Sequence, residues 1–309
     1  MRETTLLKAI ALLKEKGFSV ESFLHSNTCF DLVAKRTGMM LVVKVFNNID
    51  ALREEHAEEL RKISGLFNAT VIVIGEKSKA FSLSNGVLYE RYGLTALNLR
   101  SFRDLLNEKF PSVKYFKGKS IVELDKEKLR EKRKELGLTL QELALRAGST
   151  VESVHRYEKG ASASLETAER LEDALSTNLV KKIDLFVDEK LAKKSGKGLY
   201  SEDIEDRALG KVHDLGVKIA VFKHAPFKAF SHGSEDLVIG KGGQKIDIEK
   251  KAVTLGKTKN AFESKPLIIT KSVKYRSVGH VPIVGEEELD TLSKFKDLMQ
   301  IIREREKLD

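Results

Sequence analysis

The chain has 309 residues, room for two or three domains, with 33% of its side chains charged, 7% aromatic and a formal net charge of +9. A single cysteine, Cys29, excludes an internal disulfide framework and any multi-cysteine zinc site. No run of apolar residues is long enough to span a bilayer and no signal-like apolar region opens the chain, so a cytoplasmic protein is expected.

The first stretch reads as α/β. Residues 5–16 set Leu6, Leu7, Ile10 and Leu13 at helical spacing before Gly17. Residues 30–34 and 40–46 are apolar strand candidates around a turn at Thr37-Gly38, with Cys29 as a buried strand residue. An amphipathic helix over 51–66 and a buried strand over 69–75 follow, then a strand at 88–92 and a closing helix at 101–110. Residues 111–120 break the periodicity and mark a boundary.

Residues 126–175 carry the strongest local signals. Residues 126–136 form a charged helix with Leu129 and Leu136 as its apolar positions and Gly137 as its stop. Thr139 caps 140–147, with Glu142 as the reciprocal partner of a capping box, and Gly148 closes that helix. Thr150 or Ser149 then caps 151–159, which Gly160 ends, and a fourth helix spans 165–175. Two helices of about eight residues joined by a short turn containing a glycine are the sequence form of a helix-turn-helix.

Arg133, Gly137-Leu138-Thr139, Glu142-Leu143-Ala144, Ala147-Gly148, Val154, Tyr157-Glu158 and Gly160 together resemble the lambda-repressor/Cro type of DNA-binding domain. The resemblance implies that Ala144 is the small residue where the two motif helices cross, and that Leu143, Val154, Leu171 and Leu175 are core. It assigns Thr150, Val151, Glu152, Ser153 and Arg156 to bases or phosphates, with His155 beside them. Many family members hold phosphate through a Gln at the position taken here by Leu140; Gln141 lies one step round the helix. Lys132, Arg133 and Lys134 on the preceding helix are candidate phosphate contacts.

Residues 126–175 carry ten basic and ten acidic side chains, so the positive excess lies in the flanks. Lys109, Lys114, Lys117 and Lys119, interleaved with Phe110, Tyr115 and Phe116, precede the motif; Lys181, Lys182, Lys190, Lys193, Lys194 and Lys197 follow it. Residues 192–198 read as a flexible basic linker. Such flanks suit counterion release from a phosphate backbone.

The last third reads as a diverged copy of the first. Phe30 and Lys44 match Phe227 and Lys241 without a gap, and residues 41–44 face 238–241. Tyr89, Gly93, Leu97 and Leu106 match Tyr275, Gly279, Ile283 and Leu292, while Val71-Ile72-Val73 matches Leu267-Ile268-Ile269.

A helix, an Asp-bearing strand and a following strand ending in Lys resemble the restriction-endonuclease-like fold, in which an Asp and a later acid-x-Lys hold Mg²⁺ and assist water attack. Asp31 and Lys44 fill two of those places, and Glu15 is a further candidate acid; the acid of acid-x-Lys is replaced by Val42. In the copy, Lys228 stands for Asp31 and Ile239 for the acid. Both domains therefore read as degenerate and non-catalytic, serving assembly or extended DNA contact. A metal-dependent nuclease or junction-processing enzyme is the alternative.

Val238-Ile239-Gly240-Lys241-Gly242-Gly243-Gln244-Lys245-Ile246 resembles the phosphate-binding loop of KH domains, which gives a second alternative, RNA binding through 240–243. The repeat register instead makes 238–239 a strand entering a glycine-rich hairpin turn. The histidines at 25, 56, 155, 213, 224, 232 and 280 show no paired metal-ligand spacing, and neither a Walker loop nor a Gly-x-Ser-x-Gly elbow occurs. No cofactor and no metal is expected.

Over its whole length the arrangement is similar to the archaeal family of helix-turn-helix transcriptional regulators. The expected fold class is multidomain α plus α/β: a central lambda-repressor-like domain over 119–190, flanked by two related, degenerate restriction-endonuclease-like α/β domains over 1–118 and 199–309. The expected activity is sequence-specific binding of double-stranded DNA. A homodimer follows because one such domain reads only a half-site.

Overall fold

In a computed structural model of the chain the described residues are 2–23, 28–186, 198–243, 245–271 and 274–308. Most of the expected linker, with Lys190, Lys193, Lys194 and Lys197, lies outside them, as do His25 and Gln244. The chain gathers into two compact units, one of residues 1–9, 46–52 and 72–188, the other of 10–45, 53–71 and 189–309. Each unit is assembled from separated stretches of the chain.

The second unit opens with the end of helix α1 (Arg2–Glu15) and strands β1 (Ser19–Ser22), β2 (Leu32–Arg36) and β3 (Met39–Val45). These pair antiparallel in sequence order, with Val20 opposite Ala34 and Leu32 opposite Val43. The β2–β3 turn falls at Thr37-Gly38 as expected. Cys29 is buried, but it lies in the irregular segment before β2 rather than in a strand. Helix α2 (Glu54–Phe67) starts later than its pattern predicts, because Ile49–Ala51 forms a separate 3-10 turn capped by the Asn48 side chain.

The C-terminal part of this unit holds helix α8 (Arg207–Asp214), strands β10 (Lys218–Val221), β11 (Ala229–His232) and β12 (Leu237–Gly242), helix α9 (Lys245–Phe262), and strands β13 (Lys265–Thr270), β14 (Ser277–Val278) and β15 (Val281–Gly285). Helices α10 (Glu286–Asp290) and α11 (Phe295–Arg305) close it. The strand order is β10-β11-β12-β13-β15-β14. Leu209, Val212, Ile239, Leu267, Leu298 and Ile302 form part of one apolar core beneath it.

The first unit is built on β4 (Thr70–Ile74), β5 (Val87–Arg91), β6 (Leu94–Leu97), β7 (Val113–Phe116), β8 (Lys119–Val122) and β9 (Ala163–Ser164), in the order β4-β6-β5-β7-β8-β9. Helix α3 (Leu99–Leu106) is capped by Asn98, whose side chain accepts from the Ser101 N–H. The expected break at 111–120 is instead the β7–β8 hairpin, turning at Lys117-Gly118 with φ of 47° and 83°. β7 pairs parallel with β5, while β8 pairs with β9 inside the helix-turn-helix. The expected boundary at 118/119 therefore falls at the tip of a hairpin.

The two sheets share part of their pairing pattern. Pairings β1/β2, β2/β3 and β5/β6 are antiparallel and β4/β6 is parallel, as are their counterparts β10/β11, β11/β12, β14/β15 and β13/β15. The register corrects the sequence match. The Asp31 N–H bonds Val43 O and the Lys228 N–H bonds Ile239 O, so Lys228 is the counterpart of Asp31 but Ile239 that of Val43. Lys44 then corresponds to Gly240, not Lys241. A slip of one residue moves a side chain to the opposite face of a strand. The acid position falls at Val238 rather than Ile239.

The glycines of β12 exist for close packing. A Cβ on Gly240 would lie 2.5 Å from Leu255 Cδ1 of α9, and one on Gly242 would lie 2.9 Å from Ile248. The segment is a strand running directly into a helix, neither the expected hairpin turn nor the helix–loop–helix that a KH loop requires.

Candidate nucleic-acid interface

Helices α4 (Lys126–Glu135), α5 (Leu140–Arg146), α6 (Val151–Glu158) and α7 (Leu165–Leu175) follow the predicted helices to within a residue or two. Their ends are fixed by side chains. Thr139 accepts from the Glu142 N–H at 3.2 Å and the Glu142 carboxylate accepts from the Thr139 N–H at 2.7 Å, the predicted capping box. The Thr139 N–H and hydroxyl hold the Glu142 carboxyl below its usual range. Gly148 takes φ +56° between α5 and α6, where a side chain would be strained and would also press on Arg170.

The core is the expected one, enlarged by the hairpin. Leu143, Ala144, Val154, Leu171 and Leu175 are buried together with Val122 and Leu124 from β8 and its extension. Ala144 is buried in the core that α5, α6 and α7 share. Leu140 packs against the same core, which explains its departure from the usual Gln: the position is used for burial, while Gln141 is exposed.

On α6, Val151, Glu152, His155 and Arg156 are exposed and Ser153 half-buried, whereas Val154 is fully buried on the inner side. Thr150 caps the helix through the Ser153 N–H at 3.1 Å, and its hydroxyl donates to Ser153 Oγ at 2.9 Å. The candidate reading residues therefore lie along the solvent-facing side of a capped helix, from Thr150 at its start to Arg156 in its last turn. Their side chains offer an acceptor at Glu152, hydroxyls at Thr150 and Ser153, a guanidinium at Arg156 and an apolar contact at Val151, a mixture suited to base edges.

Arg133 departs from expectation. Its Nε donates to Glu158 Oε1 at 2.6 Å, Nη2 to Glu158 Oε2 at 3.1 Å and Nη1 to Leu138 O at 2.8 Å. Hydrogen bonding to Glu158 raises its pKa further above the ordinary value. Arg133 thus ties the end of α4 to the end of α6, and its guanidinium is engaged within the fold. Lys132 is half-buried and pairs with Glu135 at 2.7 Å, while Lys134 is exposed.

The aromatic-interleaved flank is also partly consumed by folding. Lys114 pairs with Glu123 at 2.7 Å, and Tyr115 packs edge-on against Phe81 and at a tilt against Tyr89. Lys181 and Lys182 are exposed.

The nuclease-like pair is closed. Asp31 and Lys44 are 1% and 4% exposed. Lys44 Nζ meets Asp31 Oδ1 at 3.1 Å and donates to Thr28 O at 2.5 Å, while Asp31 Oδ2 accepts from the Val45 N–H at 2.7 Å. Glu15 is exposed at the end of α1, so it does not share their buried setting. In the copy, Lys241 instead meets Asp206 at 2.8 Å and Glu286 at 3.6 Å, consistent with its opposite-facing register.

One grouping has no sequence signal. Glu55 and His56 on α2 and His224 after β10 bring three possible metal-ligand atoms within 4.8 Å of one another. Burial, then the neighbouring His224 and Arg53, lower the His56 pKa to about 4. The expectation that no histidines are paired rests on local spacing, which cannot see ligands brought from distant segments.

Residues 2–111 match the family model of the PD-(D/E)XK superfamily domain, and residues 129–181 match the helix-turn-helix model. A protein of Archaeoglobus fulgidus named "Putative HTH-type transcriptional regulatory protein" is 33% identical over 300 residues, covering 96% of each chain. Proteins of the same description from Pyrococcus furiosus (33% over 301 residues, 95% of each chain) and Methanocaldococcus jannaschii (30% over 312 residues, 98% and 97%) are similar over the same extent. No solved structure matches the chain.

Proposed function

Since the chain belongs to the archaeal family of HTH-type transcriptional regulatory proteins, we propose that it binds double-stranded DNA selectively as a transcriptional regulator, with α6 as the reading helix. The observation that carries this reading is the division of α6: Val154 buried, and Val151, Glu152, His155 and Arg156 exposed on a helix capped by Thr150. Thr150, Ser153 and Gln141 join these as contacts, with Lys132 and Lys134 on phosphate. The reader is the segment 119–190, and the α/β regions 1–118 and 199–309 serve assembly or extended DNA contact. Because one reader covers a half-site, the working species is a homodimer. Among the described residues no helix is long and apolar enough to cross a membrane, which agrees with a cytoplasmic site of action. Selection from random duplexes at physiological salt tests the reading. An enriched, two-fold motif supports it, and recovery of no enriched sequence overturns it.

The match of residues 2–111 to the PD-(D/E)XK superfamily domain motivates a second reading, a metal-dependent nuclease using Asp31 and Lys44. Against it stand the burial of both side chains, their mutual ion pair and Val42 in place of the second acid. We take the domain as non-catalytic. Incubation of supercoiled, branched and single-stranded DNA with Mg²⁺ or Mn²⁺ decides it: cleavage by the wild type that is absent from D31A shown to be folded by far-ultraviolet dichroism would establish the nuclease.

A further inference from the structure

Glu55, His56 and His224 are the one His-containing cluster with metal-ligand proximity among the described residues. Glu55 and His56 are adjacent on the first turn of α2, and His224 stands in the segment joining β10 to β11. His224 Nε2 lies 3.6 Å from Glu55 Oε2, and the two imidazole rings sit 4.5 Å apart between centroids, tilted by 52°. Donors bound tetrahedrally to Zn²⁺ at about 2.0–2.1 Å lie about 3.3 Å from each other, so the observed separations need only modest side-chain movement.

The ligands are held from behind. The Glu59 carboxylate accepts from the backbone N–H of Lys223 at 2.5 Å and from that of His224 at 2.9 Å, and the Cys29 N–H donates to His224 O at 2.7 Å. His224 is thereby fixed by its main chain to α2 and to the segment before β2, while its side chain is 27% exposed. His56 is 5% exposed and presents an edge to Arg53, Nη2 to Nε2 at 3.1 Å. Arg53 also pairs with Glu55 Oε1 at 2.9 Å, and its own side chain is 58% exposed. A guanidinium there supplies the positive charge that a carboxylate and two imidazoles attract, and it is free to swing into water when a cation replaces it.

We propose that Glu55, His56 and His224 form a binding site for a divalent transition-metal ion of the Zn²⁺ class. The ligand set is two nitrogens and one carboxylate, which suits a borderline-soft ion and not Mg²⁺ or Ca²⁺. Glu55 and His224 line a cleft of about 930 Å³ whose walls carry both acids (Glu58, Glu59, Asp203) and cations (Arg61, Lys62, Lys223), which gives an ion a route in from solvent. The ion cross-links α2 to the β10–β11 connection. The site uses neither Asp31 nor Lys44 as a ligand, and it stands whether or not the helix-turn-helix reads DNA.

The test uses the full, tag-free chain titrated with Co²⁺ and then Zn²⁺, following the visible ligand-field bands and the stoichiometry by calorimetry. One Co²⁺ per chain, with bands that Zn²⁺ bleaches, is expected for the wild type. H224Q and E55Q, both at partly exposed side chains, are expected to weaken binding by at least about tenfold. H232Q, an exposed histidine elsewhere, is expected to bind as the wild type does. Far-ultraviolet dichroism and a urea midpoint on each variant exclude unfolding as the cause. Absence of stoichiometric binding by the wild type overturns the proposal, and so does binding that survives in folded H224Q and E55Q.

Discussion

Arg133 and Glu158 meet as a two-pronged pair, Nε to Oε1 at 2.6 Å and Nη2 to Oε2 at 3.1 Å, with side chains only 12% and 8% exposed. The pair joins the C-terminal ends of α4 and α6 and lies on the far end of α6 from its reading surface. Removing the guanidinium leaves a largely buried carboxylate without its partner. R133A is expected to lower stability by about 2–4 kcal/mol, and R133K to recover part of it, since an ammonium cannot make the fork. Urea unfolding measures this. Under conditions where R133A is folded, its DNA affinity should fall with salt as steeply as that of the wild type; a shallower slope would return Arg133 to the phosphate contacts.

Lys134 provides the contrast. It is exposed on the same helix, and taking away a cation that meets phosphate there weakens every sequence alike. K134A should flatten the plot of log affinity against log salt by about one unit, measured by fluorescence anisotropy on any duplex.

Glu152 and Ser153 sit in the first turn of α6, with Thr150 bonded to Ser153. An acceptor at Glu152 favours a cytosine amino group and repels phosphate, so E152A should change which sequence is preferred, by about 1–3 kcal/mol at one or two base pairs. Selection on the variant reads it directly. Equal weakening of all duplexes with the preference order intact would falsify the docking of this helix.

Burial makes Asp31 and Lys44 a structural pair. Truncating either side chain is expected to cost about 3–5 kcal/mol because the other charge stays inside without its counter-charge. D31A and K44A should therefore lower the urea midpoint while leaving the preferred DNA sequence unchanged in whatever protein remains folded.

Glu306 follows α11 and accepts from Lys259 at 2.6 Å and Lys265 at 2.8 Å, and these two bonds, Lys259 first, hold its carboxyl below the ordinary value. The unfolded chain then binds a proton more readily than the folded one as pH falls through the carboxylate range. The contribution is present above the unfolded value and is lost as pH drops toward the folded one. Below about pH 4.5, E306Q should lose stability less steeply than the wild type in urea melts across pH 3–7.

The helix-turn-helix is legible in the sequence because its information is local. Thr139 with Glu142, Thr150, Gly137, Gly148 and Gly160 each mark an end within a few residues, and Val154 and Leu171 follow helical spacing. Strands β7 and β8 are not legible: their residues are mostly half-exposed, and their partners Leu88 and Ser164 lie elsewhere in the chain. The repeat can be read but its register cannot, since Lys44 and Lys241 align by identity while the backbone hydrogen bonds align Lys44 with Gly240. Charge alone points Arg133 at phosphate, and only the position of Glu158 reveals its use. His56 and His224 have no mutual spacing to read.

Ladder pairing of β5 with β7, β7 with β8 and β8 with β9 gives the reading helix a hinge-free mount. A DNA reader on a floppy tether can reach half-sites at many separations, since the tether's end wanders over tens of ångströms. Here α6 packs on α4 and α5, and the core they share with Val122 and Leu124 ties it to the hairpin. If the working species is the homodimer proposed above, its operator should tolerate base changes within each half more readily than one added base pair between them, because such an insertion rotates one half-site by about a tenth of a turn.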